Sequence, residues 1–178
     1  NAVKCWGRND TGQLGDNSVT QRLVPVDVTG LSSGVTAIGV GTGHSCAIVA
    51  GGSLKCWGFN GTGALGDDTY VDRTAPVNVV GLGSGVIAVA PAWGHTCALV
   101  TGGGVKCWGS NAYGNLGGNP TPFATAPVDV PSLTSGVAAI ASGLLHSCAL
   151  TTGGGVKCWG WGTSGQLDAT PIRATRST

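Results

Sequence analysis

HSCAIVAGGSLKCWG, residues 44–58, returns as HTCALVTGGGVKCWG at 95–109 and as HSCALTTGGGVKCWG at 146–160. Its second half, VKCWG, also opens the chain at residues 3–7. Each copy reads as two short apolar strands joined at a Gly-Gly pair. A three-residue hairpin turn takes Gly at a left-handed position, and Ala50-Gly51-Gly52 supplies it. That turn sets Cys46 directly opposite Cys56. Directly opposed residues bring their Cα atoms to about 4.5–5.5 Å, within disulfide range. The spacing therefore predicts the bridges Cys46–Cys56, Cys97–Cys107 and Cys148–Cys158, and with them an oxidising compartment. Two alternatives stand beside this reading. Cys also packs as a buried free thiol, and His44, Cys46 and Cys56 on one patch are three candidate zinc ligands. The seventh cysteine, Cys5, is left over by register, either free or bonded to another chain or segment.

Outward from the hairpin the register is constant. Cys5, Cys56, Cys107 and Cys158 are 51 residues apart, as are Pro25, Pro76 and Pro127, and Gly34, Gly85 and Gly136. The fourth unit keeps the pattern through Gly165 and Leu167, then departs from it in DATPIRATRST. Each unit reads as four strands, near 25–28, 34–38, 44–49 and 53–58 in the first. A period of about 40–50 residues with four strands is that of a propeller blade. The expected organisation over 1–178 is one repeat domain: an orphan strand at 1–7, blades at about 24–58, 75–109 and 126–160, and a divergent tail at 161–178.

Composition agrees with an all-β chain of antiparallel blades. The 178 residues include 33 Gly and 8 Pro, with no Met and no Glu. Gly and Pro are poor inside helices, and short runs of Val, Ile, Leu and Ala suit strands joined by turns. The net charge is +1 without a basic stripe, which offers nothing to nucleic acid. No apolar run is long enough for a membrane-spanning helix. Charged residues are only 10% of the chain, against about 25–35% on an ordinary soluble surface. Such a surface suits close contact with neighbours.

The pattern VKCWGxNxxGxLG, PVxVxGLxSGVxAI and HSCAL resembles the repeat of the regulator of chromosome condensation family, in its bacterial-style form, from residue 3 to about 167. The resemblance implies a seven-bladed propeller of roughly 50-residue repeats. It also implies a protein that works by binding other proteins.

The repeated slots read as framework. His44, His95 and His146 fall in one slot of three blades and are expected to hydrogen-bond within the frame. A catalytic histidine needs one assembled constellation instead. Trp6, Trp57, Trp108 and Trp159 are expected between blades, and the Lys before each repeated Cys in solvent. No cofactor is expected.

Function is expected where the copies differ, because binding residues concentrate on loops held by a rigid scaffold. The variable loops are 16–23, 67–74 and 118–125, with 40–43, 91–94 and 142–145. They hold Tyr70, Trp93, Phe123 and, nearby, Phe59, Tyr113 and Trp161. Exposed aromatics there are candidate anchors for a protein or a glycan. Asn9-Asp10-Thr11 and Asn60-Gly61-Thr62 match the N-glycosylation sequon, and Asp67-Asp68 is a faint calcium signal. Three blades do not close a ring of about four to eight. The sequence expectation is thus a non-enzymatic extracellular module whose first partner is itself, as a closed dimer or an open fibre. The alternative is a binding propeller of the lectin or enzyme-inhibitor kind.

Overall fold

The computed structural model describes residues 1–167, all strands and turns; residues 168–178 of the expected tail lie outside that description. Among the described residues thirteen strands form four antiparallel sheets. The first sheet pairs β1 (Lys4–Gly7) with β2 (Arg22–Asp27). The second orders β3 (Val35–Val40), β4 (His44–Val49), β5 (Ser53–Gly58) and β6 (Arg73–Asn78). The third repeats this with β7 (Val86–Pro91), β8 (His95–Val100), β9 (Gly104–Ser110) and β10 (Phe123–Asp129). The fourth holds β11 (Val137–Ser142), β12 (His146–Thr151) and β13 (Val156–Gly160).

The blades are therefore cut differently from the sequence expectation. The Pro-Val strand does not begin a blade; it ends the one before. Lys55 pairs with Asn78 and Cys56 with Val77, so the blades run 35–78 and 86–129 rather than 24–58 and 75–109, and the last described sheet spans 137–160. By the same pairing the strand at the start of the chain is not an orphan: Cys5 faces Val26 on β2. The reason lies in the link after the Pro-Val strand. In the second copy, Val79 and Leu82 are buried and Gly81 and Gly85 take positive φ, so the link turns the chain across to the next sheet instead of back along its own.

Inside each blade the hairpin forms as the Gly-Gly turn dictates. Val49 pairs with Ser53 and Cys46 with Cys56, with Gly51 and Gly52 at φ 87° and 77°. All three disulfides are present: Cys46–Cys56, Cys97–Cys107 and Cys148–Cys158. With Cys46 and Cys56 joined, the zinc and free-thiol readings fall. Cys5 is unpaired and half-buried, and burial raises its thiol pKa. The first two bridges lie in a core that runs between the sheets with Ile48, Leu54, Leu99, Trp108 and Leu133, and the third lies outside it, with Cys148 only partly buried.

Sheet meets sheet through the repeated tryptophans. The indole N–H of Trp57 donates to Gln13 O at 3.0 Å, Trp108 to Ala64 O at 2.9 Å and Trp159 to Asn115 O at 2.9 Å. Each bond reaches one repeat back. The approach is close: a Cβ on Gly15 would stand 2.7 Å from the Trp57 indole nitrogen. Trp6 has no such sheet against it among the described residues, and it is 61% exposed. The lysines sit on the outer side as expected, with Lys4 on Asp27, Lys55 on Asn78 and Lys106 on Asp129.

Candidate functional site: one loop face

Strand register decides where the loops go. β4 starts at His44, just after the turn 41–43, and His44 pairs with Gly58, the last residue of β5. The long loop that leaves β5 therefore lies at the same end of the blade as the β3–β4 turn. The third blade repeats this, with His95 opposite Gly109. The first strands β3, β7 and β11 pack side by side. Their turns are linked, Thr42 N to Ala92 O at 3.2 Å and Trp93 N to Leu144 O at 3.2 Å. The variable loops thus share one face, and the Gly-Gly hairpin tips occupy the other.

All the candidate aromatics fall on that loop face. Trp93 sits on the β7–β8 turn, half exposed. Phe59 and Tyr70 lie on the loop between β5 and β6, and Phe123 opens β10 opposite Ser110. Tyr113 and Trp161 come together, stacked with ring centroids 5.4 Å apart. Trp161 is tied to the β11–β12 turn by its N–H to Leu145 O at 2.9 Å.

The loops are built around an asparagine. Asn60 is fully buried. Its side-chain oxygen accepts from Leu65 N at 2.9 Å, while Nδ2 donates to Asp67 Oδ1 at 2.9 Å, Thr69 O at 3.0 Å and Val71 O at 3.2 Å. Asn9 does the same with Leu14, Asp16, Ser18 and Thr20. This corrects the glycosylation reading of Asn9 and Asn60: a sugar on either Nδ2 would displace buried hydrogen bonds that close the loop. The sequence held the signal. Asn111 keeps the slot without the sequon threonine, and it too closes its loop.

Asp67 and Asp68 do not converge on a shared cation. Asp67 accepts from Arg73 Nε at 2.8 Å. Asp68, at φ 61°, reaches the next repeat: its N–H donates to Thr125 O at 3.0 Å and its carboxylate accepts from Thr125 Oγ1 at 2.8 Å. Asn17 clasps Thr74 in the same way. Burial by itself would raise the Asp67 pKa, but hydrogen bonds from Thr69 and Arg73 outweigh it and hold the carboxyl below its ordinary range.

Two of the three histidines bridge blades, while the His146 ring has no such partner among the described residues. His44 Nε2 meets Thr96 Oγ1 at 2.7 Å, and His95 Nε2 meets Ser147 Oγ at 2.9 Å. Thr96 Oγ1 donates its own proton to Ala64 O at 2.8 Å. It therefore accepts from His44, which carries its proton on Nε2 and leaves a bare, buried, unpartnered Nδ1. Burial lowers the pKa of His44 to about 3 and that of His95 to about 4. These side chains hold blades together as neutral rings.

Fold and loops together define a class: a disulfide-braced arc of antiparallel propeller blades that presents its variable loops on one face. The regulator of chromosome condensation (RCC1) repeat matches residues 3–48 and 52–99, and again 92–115 and 137–166. The chain belongs to that family. It is 31% identical over 168 residues to the ultraviolet-B receptor UVR8 of Arabidopsis thaliana, covering 93% of this chain and 38% of the receptor. It is 33% identical over 180 residues to the mitochondrial RCC1 domain-containing protein RUG3 of the same plant, covering 96% and 40%. The structure of Prp20p from Saccharomyces cerevisiae, described with its binding to Gsp1p and histones, superposes with a TM-score of 0.81 at 22% identity, over 93% of this chain and 42% of that one. The chain thus spans about two fifths of these relatives' length.

Proposed function

We propose that this chain is a non-enzymatic binding module that engages a protein partner through its loop face. One observation carries the reading: strand register gathers Phe59, Tyr70, Trp93, Tyr113, Phe123 and Trp161 on a single face, although they come from different repeats. Aromatics on a rigid frame lose little conformational entropy on binding and are frequent interface anchors. Prp20p, a protein of the same fold, is described as a binder of Gsp1p and histones, which supports protein binding as the mode. The three disulfides favour a secreted or cell-surface setting.

A photo-crosslinking amino acid placed at Tyr113 and, separately, at the exposed Ala50 on the hairpin-tip face tests the reading. The expected result is a partner captured from position 113, absent from position 50, and lost on Trp161→Ala. Equal capture from both faces, or capture that ignores Trp161, contradicts it.

Self-assembly is the second reading, and Trp6 favours it. Trp57, Trp108 and Trp159 occupy the same slot and are at most 3% exposed, while Trp6 is 61% exposed. A second copy, or further repeats of a longer chain, would cover it. Sedimentation of non-reduced protein decides. Discrete or open-ended oligomers that dissolve on Trp6→Ser support self-assembly, and a monomer at all concentrations removes it.

A further inference from the structure

The loop face also holds a groove of about 170 Å³ between the first two repeats. One wall is aromatic, Phe59 and Trp93; the other is polar, with Arg8, Asp10, Gln13 and Thr42. The polar wall is linked by contacts among its own, largely exposed side chains. The Arg8 guanidinium pairs with Asp10, Gln13 Nε2 donates to Asp10 Oδ1 at 3.1 Å, and Gln13 Oε1 accepts from Thr11 N at 3.0 Å and Thr11 Oγ1 at 2.9 Å. The aromatic wall is fixed. Phe59 N donates to Gly43 O at 2.8 Å, and a Cβ on Gly61 would stand 2.8 Å from the ring.

This combination occurs where the copies differ. One repeat on, the slots of Arg8, Asp10 and Gln13 hold Phe59, Gly61 and Ala64, and the slot of Trp93 holds Leu144. The next groove therefore has no charged wall. The chemistry of the first narrows its ligand. Arg8 and Asp10 neutralise each other, so neither an anion nor a cation finds an unmatched charge. A purely apolar ligand would bury the ion pair's remaining donors and acceptors without partners, which is costly. A ligand that fits offers a flat apolar face to an indole and hydroxyls that both donate and accept to Arg8 and Asp10.

We propose that this groove is a subsite for one neutral pyranose ring of a glycan, stacked on Trp93 and hydrogen-bonded by Arg8 and Asp10. The inference goes beyond the protein-binding reading and does not depend on it.

Saturation-transfer NMR with the methyl glycosides of glucose, galactose, mannose and N-acetylglucosamine tests it, with glucuronic acid and glucosamine as charged probes. The expected result is transfer to the C–H protons of one ring face in at least one neutral glycoside. Affinity should fall about tenfold in Trp93→Ala and in Asp10→Asn, the scale of one good contact, and stay unchanged in Trp161→Ala. Asp10 is exposed, so Asp10→Asn keeps the test valid if Trp93→Ala unfolds. Absence of transfer from all four neutral probes, transfer that survives both variants, or preference for a charged probe overturns the proposal. None of these outcomes touches the crosslinking result, so the two readings fail separately.

Discussion

The loop at 59–72 and the loop at 111–122 occupy the same slot one repeat apart, and they close differently. In the first, Asn60 binds three acceptors and Asp67 adds an ion pair with Arg73, the carboxylate side chain being only 6% exposed. In the second, Gly118 stands in the aspartate slot and Ala124 in the arginine slot. Asn111 holds that loop, donating to Asn119 O and Thr121 O at 2.7 Å each, beside a small turn in which Asn119 Oδ1 accepts from Thr121 N at 3.0 Å and Thr121 Oγ1 at 2.8 Å. Acid and base are missing together. A buried carboxylate left without its guanidinium costs more than no pair at all. The asparagine is thus the indispensable part and the ion pair an addition. The loop at 8–21 sides with the first, with Asp16 and Arg22 paired at 2.7 Å.

Asn60→Ala breaks the comparison hardest. It removes four bonds from a buried centre, and unfolding should lose about 3 kcal/mol. Asn111→Ala should lose less, about 2 kcal/mol, because fewer buried groups are stranded. Chemical denaturation of the two variants checks both size and order.

Acid separates the loops from the blade joints. His44 and His95 have folded pKa values of about 3 and 4, below the ordinary 6.5. The unfolded chain therefore takes up protons first, and stability is lost as pH falls below 6.5. His44 should contribute a loss on the order of 2 kcal/mol between pH 7 and 5. Asp16 and Asp67 are also lowered, from 3.8. Their contribution is present above that value and lost as pH falls through the folded pKa. A denaturation series should therefore show an early decline that Asp67→Asn leaves in place and a later one that it reduces. A flat profile from pH 7 to 5 would contradict the neutral-histidine joints.

Asp67→Ala should cost about 1–2 kcal/mol with Arg73 left in place. The double change Asp67→Gly with Arg73→Ala, which copies the loop at 111–122, should cost less than the two single changes added together. Additivity within error would mean that the pair is not coupled. The reverse graft, Gly118→Asp with Ala124→Arg, is the smallest effect. Gly118 stands at φ 105°, a backbone that Asp67 does not share and where an Asp side chain is strained. The graft should therefore destabilise by about 0.5–1 kcal/mol, read as a small fall in thermal midpoint.

What the sequence disclosed follows from range. The Cys46–Cys56 bridge was legible because turn, register and cysteines lie within one hairpin. The all-β class and the repeat were legible because Gly, Pro and a constant step are local facts. The blade boundaries were not. The link from Asp27 to Val35 looks like a hairpin turn, yet it crosses to the next sheet, and only pairing across residues 5 and 26 shows this. Asn60 was misread for a related reason. Asn-Gly-Thr is the same string whether the amide faces solvent or closes a loop on Thr69 and Val71. The shared aromatic face was hidden behind both errors, since it depends on which ends of the strands the loops leave.

The central claim is a division between a buried, repeated frame and an exposed, variable face. The six tryptophan indole N–H signals test it most directly, read by NMR as a soluble paramagnetic chelate is added. The account predicts that Trp57, Trp108 and Trp159, each bonded to a backbone carbonyl one repeat back, stay sharp. Trp6 and Trp93 should broaden early. A protected Trp93, or a Trp57 as accessible as Trp6, would contradict it.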